Sequence, residues 1–377
     1  MVAKTPLRHP VSMNNITIWN EYLTLELPKV AALLIPYGIT LDKNQPHTMG
    51  ERFLMQALTT IGGRKLILLG VDTTSGKKVV IKASNDSTGK LELEHERTCR
   101  TLLHSMKFSY ETFHSPEELY FIKASGYTIF VSEYIEQASS FLNRPLTEQF
   151  SFALRALKAQ ERTRATTAGH LTQTKSVFGT RNSADYVRMF EAFMSAVTSK
   201  KIDAAIIATL GRALETLNKN TTRIDQYSNF LTHTDFVPHN FRIKDDILYL
   251  LDFSSLRFGN KHESWARFLN FMTLYNPELE SLLLAYVEHN RAPEERDSLH
   301  LMRLFRLGEI ITYYANTLEK SSNNLLALNN ERIHFWNEVL QAELQNQRVA
   351  LGVVEQYKTR RDYLRSEDEK ARQIGLH

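Results

Sequence analysis

The sequence predicts an α+β protein in which a small β-rich part precedes a larger, mainly helical one. Three observations carry this expectation. Up to Glu136, apolar residues fall in short strand-like runs punctuated by turn residues, whereas beyond it they recur at helical spacing. Glycine and proline are scarce, 15 and 10 in 377 residues, below the usual roughly 7% and 5%, as suits a helix-rich chain with few tight turns. The hydrophobic share of 42% and charged share of 23% are those of a globular chain long enough for a large core.

Charge and cysteine usage remove other classes. The 46 Lys+Arg against 42 Asp+Glu leave a net charge of only +4, and no basic block with interleaved aromatics stands out, so no nucleic-acid partner is expected. A single cysteine, Cys99, excludes an internal disulfide and a Cys-rich zinc site and points to a reducing compartment. The first thirty residues lack a signal-peptide core, and the apolar stretch Val30–Pro36 is far shorter than the roughly 20 residues of a membrane span. A cytoplasmic protein with no membrane partner is the expectation.

Along the chain, residues 1–50 form an N-terminal extension with a short helix around Trp19–Leu34 and a loop before Glu51. Three strand-like runs follow, at 53–61, 65–72 and 77–84, separated by Gly62-Gly63 and by Thr73-Thr74-Ser75-Gly76, both of which read as hairpin turns. The segment Leu91–Met106 is an amphipathic helix, with His95, Cys99, Leu102 and Met106 on one stripe. Strands at 118–125 and 127–135 complete a βββαββ unit spanning 51–136. From 137 to 377 helices dominate: Phe150, Leu154 and Leu157 share a face, as do Tyr186, Phe190, Phe193 and Val197, and then Ile202, Ile206, Leu210 and Leu217. The tail 331–377 balances eight basic against eight acidic residues and reads as a solvated helical face.

One segment breaks the helical block. In 231–253, His233, Asp235, Asn240 and Asp252 are embedded between apolar strands, with an Asp245-Asp246 turn between two of them. Carboxylates are costly there without a purpose. Two carboxylates and an amide brought together by a hairpin suit a divalent cation and a proton acceptor.

This arrangement resembles the catalytic core of the protein-kinase-like phosphotransferases, particularly the aminoglycoside phosphotransferase and small-molecule kinase branch. The kinase template has H-R-D, an Asn five residues after the Asp, and a later D-F-G. Here His233, Asp235, Asn240 and Asp252-Phe253 match in spacing, and Val79-Val80-Ile81-Lys82 matches the V-A-I-K strand upstream. The resemblance implies a bilobal fold and makes Asp235 the catalytic base. It makes Asn240 and Asp252 ligands of Mg²⁺, and Lys82 a phosphate-binding lysine paired with a glutamate of the next helix. Glu96 is the first choice for that partner, with Glu92 and Glu94 as competitors. It further implies adenine contacts from the Glu133 carbonyl and the Ile135 amide, and a phosphate-covering turn at Gly62-Gly63.

The chain departs from the template at three points. Only a glycine pair stands where G-x-G-x-x-G belongs, Thr234 occupies the Gly or Arg position, and Ser254 replaces the last glycine of D-F-G. Ser254–Lys261 leads almost directly into the helix beginning near Glu263, too short an interval for a phosphorylatable activation loop ending in A-P-E, which favours a small hydroxylated acceptor over a protein. Walker A, G-x-S-x-G and H-E-x-x-H signatures are absent. The expectation is an ATP- and Mg²⁺-dependent phosphotransferase acting on the hydroxyl of a small molecule. A non-catalytic pseudokinase-like scaffold and a divergent protein kinase are the competing readings.

Overall fold

The computed structural model describes residues 14–45, 65–105, 114–163, 168–200 and 202–365. The strand expected at 53–61 and the Gly62-Gly63 turn lie outside these residues. Helix α1 (Asn14–Leu34) leads into strand β1 (Ile39–Leu41), then β2 (Leu66–Asp72), β3 (Lys78–Ser84), helix α2 (Ser87–Ser105), β4 (Glu118–Ala124) and β5 (Tyr127–Glu133). These strands form one antiparallel sheet in the order β1-β2-β3-β5-β4. The segment set apart above as an extension thus supplies a sheet strand, since Ile39 pairs with Asp72 and Leu41 with Gly70. Gly70 makes room for that edge: a Cβ there would lie 2.5 Å from the Thr40 carbonyl oxygen.

Alternation along β3 decides the use of each face of the sheet. Val79, Ile81 and Ala83 are buried in an apolar cluster with Val30 and Leu34 of α1. Lys82, one residue out of phase, points to the other face, where α2 lies. Along α2, Cys99 and Leu102 of the expected stripe are buried together with Leu93, Glu96, Arg100 and Leu103, while His95 is only half buried and Met106 lies outside the described residues.

The larger part begins with α3 (Leu146–Gln160), α4 (Ala168–Phe178), α5 (Ser183–Thr198), α6 (Ala204–Lys219) and the short α7 (Thr221–Gln226). Strands β6 (Phe230–His233), β7 (Phe241–Lys244), β8 (Ile247–Leu250) and β9 (Leu256–Gly259) then form two antiparallel pairs, β6 with β9 and β7 with β8. Strand β9 has four residues and no alternation to announce it. Both Asp245 and Asp246 adopt positive φ, as a tight two-residue hairpin turn requires. Helices α8 (Glu263–Tyr275), α9 (Pro277–Asn290), α10 (Pro293–Ala315), α11 (Asn323–Leu344) and α12 (Leu351–Leu364) complete the chain.

One apolar core runs through these helices, with Tyr186, Phe190, Trp265, Phe268 and Phe305 fully buried. At its centre Gly308 of α10 lets the Phe190 ring lie where a Cβ would stand. Gly308→Ala is therefore expected to destabilise the protein by about 1–3 kcal/mol through overpacking, read from urea unfolding midpoints; an unchanged midpoint would show that the ring yields freely.

Most described charges of the tail are exposed or partly exposed, as its balance suggests, but Arg332, Glu343 and Arg365 are buried. Arg332 is buried and donates to Asn329 at 2.8 Å. Glu343 is buried between Arg303, at 3.2 Å, and His300, at 3.0 Å. Glu343 thus lies inside beside opposite charge, while Arg332 is met by a neutral amide acceptor. Among the described residues, no helix is long and apolar enough to cross a membrane.

Candidate active site

The Lys82 ammonium lies 2.8 Å from both carboxylate oxygens of Glu96. Helix phase separates the three glutamates of α2. Glu96 faces the sheet, whereas Glu92 pairs with Lys65 at 2.5 Å and Glu94 with Lys123 at 2.8 Å. The Arg100 guanidinium lies one turn on, 3.6 Å from Glu96, and sits between the rings of Phe130 and Phe253 at 5.0 and 5.2 Å. It links α2 to the residue that follows Asp252, so the sheet and the helical part meet through cation–π contacts.

The loop after β6 rests on a buried polar layer. His233 donates its amide to Ser264 Oγ at 3.1 Å, and Ser264 donates to Gln160 Oε1 at 2.7 Å. His233 Nε2 faces the Leu251 and Asp252 carbonyl oxygens at 3.0 and 3.1 Å, so Nε2 carries the ring proton. Burial holds its pKa below the ordinary histidine value, which keeps the imidazole neutral. His233 is a strut between two loops.

Thr234, at the departing position, donates both its amide and its hydroxyl to the Ser255 carbonyl, at 2.9 and 2.8 Å. Its side chain thus stitches the loop of Asp235 to the loop of Asp252. The Asp235 carboxylate is held from two sides. Asn240 Nδ2 donates to Oδ2 at 3.0 Å and to the Asp235 carbonyl at 2.8 Å. Arg267 of α8 donates to Oδ1 through Nε at 3.1 Å and Nη2 at 2.9 Å.

Asp252 adopts φ 59° and ψ 59°, a left-handed conformation that Asp tolerates better than most residues. Its partners hold it there: Ser254 Oγ donates to Oδ1 at 2.6 Å and Ser255 Oγ to Oδ2 at 3.1 Å. Ser254, a departure from the glycine template, thus fixes this carboxylate. The Leu251 amide donates to the Asn240 carbonyl at 2.9 Å, keeping Asn240 and Asp252 side by side.

At the end of β5, Glu133 donates its amide to the Glu117 carbonyl at 3.0 Å, and its carboxylate accepts the Glu117 amide at 3.0 Å. The Tyr134 amide donates to the Lys78 carbonyl at 3.2 Å. Ile135 buries its side chain. Its amide has no acceptor among the described residues.

Lys82 and Glu96 are thus brought together, as are Asp235, Asn240 and Asp252. Two flanking residues escaped the sequence reading. Arg267 carries no motif, and only its place at the i+4 spacing of Glu263, Arg267, Phe271 and Tyr275 hints at one helix face. Arg257 donates to the Ser254 carbonyl at 2.8 Å, and nothing in the residues around it marks that contact. Cys99 lies under this region, its thiol pushed up to about 12 mainly by burial, which leaves it inert. A separate trio, Glu161, His262 and Glu295, has ligand-like spacing. Its carboxylates are already taken, Glu161 by Arg291 at 2.7 Å and Glu295 by Lys261 at 2.8 Å.

No protein-family model matches the sequence, nor does any curated protein. Solved structures do match in shape. A thermostable variant of the aminoglycoside phosphotransferase APH(4)-Ia superposes with TM-score 0.57 at 13% identity, covering 83% of this chain and 97% of the other. A macrolide 2'-phosphotransferase type I gives 0.52 at 14% identity, over 82% and 97%. The amicoumacin kinase hAmiN gives 0.50 at 12% identity, over 89% and 97%. With a small five-stranded antiparallel sheet, a large helical part and near-complete coverage of these neighbours, the chain has the protein-kinase-like fold in its aminoglycoside-phosphotransferase form.

Proposed function

We propose that this protein is a phosphotransferase that moves the γ-phosphoryl group of ATP to a hydroxyl of a small molecule. The observation that carries the reading is the coexistence of two separately built devices in this fold. One is the Lys82–Glu96 pair on the sheet, and the other is the Asp235, Asn240, Asp252 cluster on the helical part. Structural neighbours include complexes with ADP and hygromycin B and with AMP-PNP and amicoumacin, which supports a nucleotide donor and a hydroxylated small acceptor.

The donor set fits Mg²⁺. Asn240 spends its nitrogen on Asp235, which leaves its amide oxygen as the available ligand atom, and Asp252 adds a carboxylate beside it. Hard oxygen ligands of this kind suit that ion. When bound, Mg²⁺ would neutralise charge on the phosphate oxygens. Lys82, held in place by Glu96, would bind the same phosphates as a point charge. The Glu133 carbonyl and the Ile135 amide would meet adenine along the main chain.

In the transfer, a bond forms between the acceptor oxygen and the γ-phosphorus while the bond to the bridging oxygen of ADP breaks. The acceptor proton passes to Asp235. Phosphoryl transfer demands little covalent work, so positioning and charge neutralisation account for most of the effect.

Mg-AMP-PNP is expected to raise the thermal midpoint of the wild-type protein. Lys82→Met removes a charge-assisted contact worth about 1.5–3 kcal/mol, and should weaken nucleotide affinity roughly 10- to 100-fold by calorimetric titration. Equal affinity in the two proteins, or no thermal shift in either, would sink the reading.

A further inference from the structure

Arg267 places a guanidinium against the carboxylate that the phosphotransferase reading makes the base. It spends two donors, Nε and Nη2, on a single oxygen, Oδ1, because Oδ2 is already held by Asn240. A guanidinium edge matches the two oxygens of a carboxylate or phosphate in a parallel fork, and this contact does not use that match. Nη1 has no acceptor among the described residues, and the side chain keeps 22% of its surface open. An acceptor hydroxyl, in turn, needs a carboxylate oxygen of Asp235 within about 2.6–3.2 Å, and both oxygens are engaged by protein donors.

The surroundings agree in shape. On α8, one and two turns beyond Arg267, Phe271 and Tyr275 stack at 4.1 Å, with the His239 ring edge-on to Phe271 at 5.2 Å. All three rings are partly exposed. Next to Arg267, then, lies a patch of partly exposed ring faces.

We propose that the acceptor is a hydroxylated anion whose carboxylate or phosphate group is received by Arg267. The inference rests on the phosphotransferase reading above and names its substrate class. An anion that offers the guanidinium two oxygens draws it away from Oδ1, freeing that oxygen for the acceptor hydroxyl as the acceptor arrives. A polycation meets a like charge at the same point and gains no such exchange. Arg267 is thereby a specificity-determining residue that also keeps the base covered until a matching acceptor binds.

The test measures ATP consumption and ADP release by the full chain with Mg²⁺, over three groups of hydroxylated probes. These are anions, in one arm aliphatic and aromatic hydroxy acids and in the other polyol monophosphates; their neutral esters or parent polyols; and aminoglycosides such as hygromycin B. Expected is consumption confined to one anionic arm, which identifies carboxylate or phosphate. In Arg267→Gln the acceptor KM should rise at least tenfold while Mg-AMP-PNP affinity stays within about twofold, and Arg267→Lys should recover part of the loss. Consumption of aminoglycosides or neutral probes at equal or better KM, anionic acceptors used equally well by Arg267→Gln, or no anionic probe consumed would each overturn the inference. Failure of the wild type to bind Mg-AMP-PNP would instead remove the phosphotransferase reading itself.

Discussion

Removing the Asp235 carboxylate is expected to lower phosphoryl transfer by about 10²–10⁴-fold, the range of a lost general base. Two variants separate chemistry from geometry. Asp235→Asn keeps an oxygen for Arg267 but turns an NH₂ toward Asn240 Nδ2, which donates to the carboxylate at 3.0 Å in the native protein. Two donors cannot share that contact, so Asn240 must rotate its amide, and its oxygen is then spent on residue 235 in place of the metal. Asp235→Ala removes the partner without reversing the amide. Single-turnover transfer should collapse in both, whereas Mg-AMP-PNP affinity should stay within about tenfold in Asp235→Ala and fall further in Asp235→Asn. Wild-type turnover in either variant would exclude Asp235 as the proton acceptor.

The largest expected effect on stability comes from Glu263. Its side chain is fully buried, 2.7 Å from Arg181 and 3.3 Å from Arg306, and it accepts the Tyr186 hydroxyl at 2.7 Å. Tyr186 in turn accepts the Asn260 amide at 2.9 Å. The network therefore fixes the junction of β9 and α8, which lies between Asp252 and Arg267. Burial and the neighbouring Glu263 charge together raise the Tyr186 pKa well above its ordinary value, so the phenol stays a donor at physiological pH.

Glu263→Ala leaves two arginines facing an emptied site. Breaking a buried ion pair on one side costs about 3–5 kcal/mol, which chemical denaturation will read directly. Glu263→Gln keeps the hydrogen-bonding shape without the charge and should lose less. A loss below about 1 kcal/mol in the alanine variant would mean that water or a neighbour compensates the cations.

How far the sequence reached can be judged residue by residue. The spacing of His233, Asp235, Asn240 and Asp252 is local, so one tight loop and one hairpin bring them together, and that geometry follows from the linear order. Lys82 was legible for a similar reason, as the polar member of a β-branched strand. Glu96 was only one of three candidates, because each lies within five residues on one helix and the helix phase relative to the sheet is a tertiary quantity. Of the expected stripe, Cys99 and Leu102 are buried and His95 is only half buried, which again depends on how the helix turns against the sheet. Strand β1 escaped notice since three residues carry no periodic signal, and only pairing with Gly70–Asp72 makes them a strand.

The charged tail shows the opposite limit. Composition predicts solvation for Arg332 and Glu343, and the fold overrides it by supplying buried partners from Asn329, His300 and Arg303.

By itself, then, the sequence determined the α+β class, most of the order of strands and helices around the site, and the oxygen and nitrogen donors of the motif. Those follow from short-range rules of periodicity, turns and motif spacing. The tertiary structure alone decided which glutamate meets Lys82, that α1 backs the sheet, and that Arg267 covers Asp235 from 32 residues away. Partner choice across such separations depends on how elements pack and rotate against one another, and no local pattern in the chain encodes that.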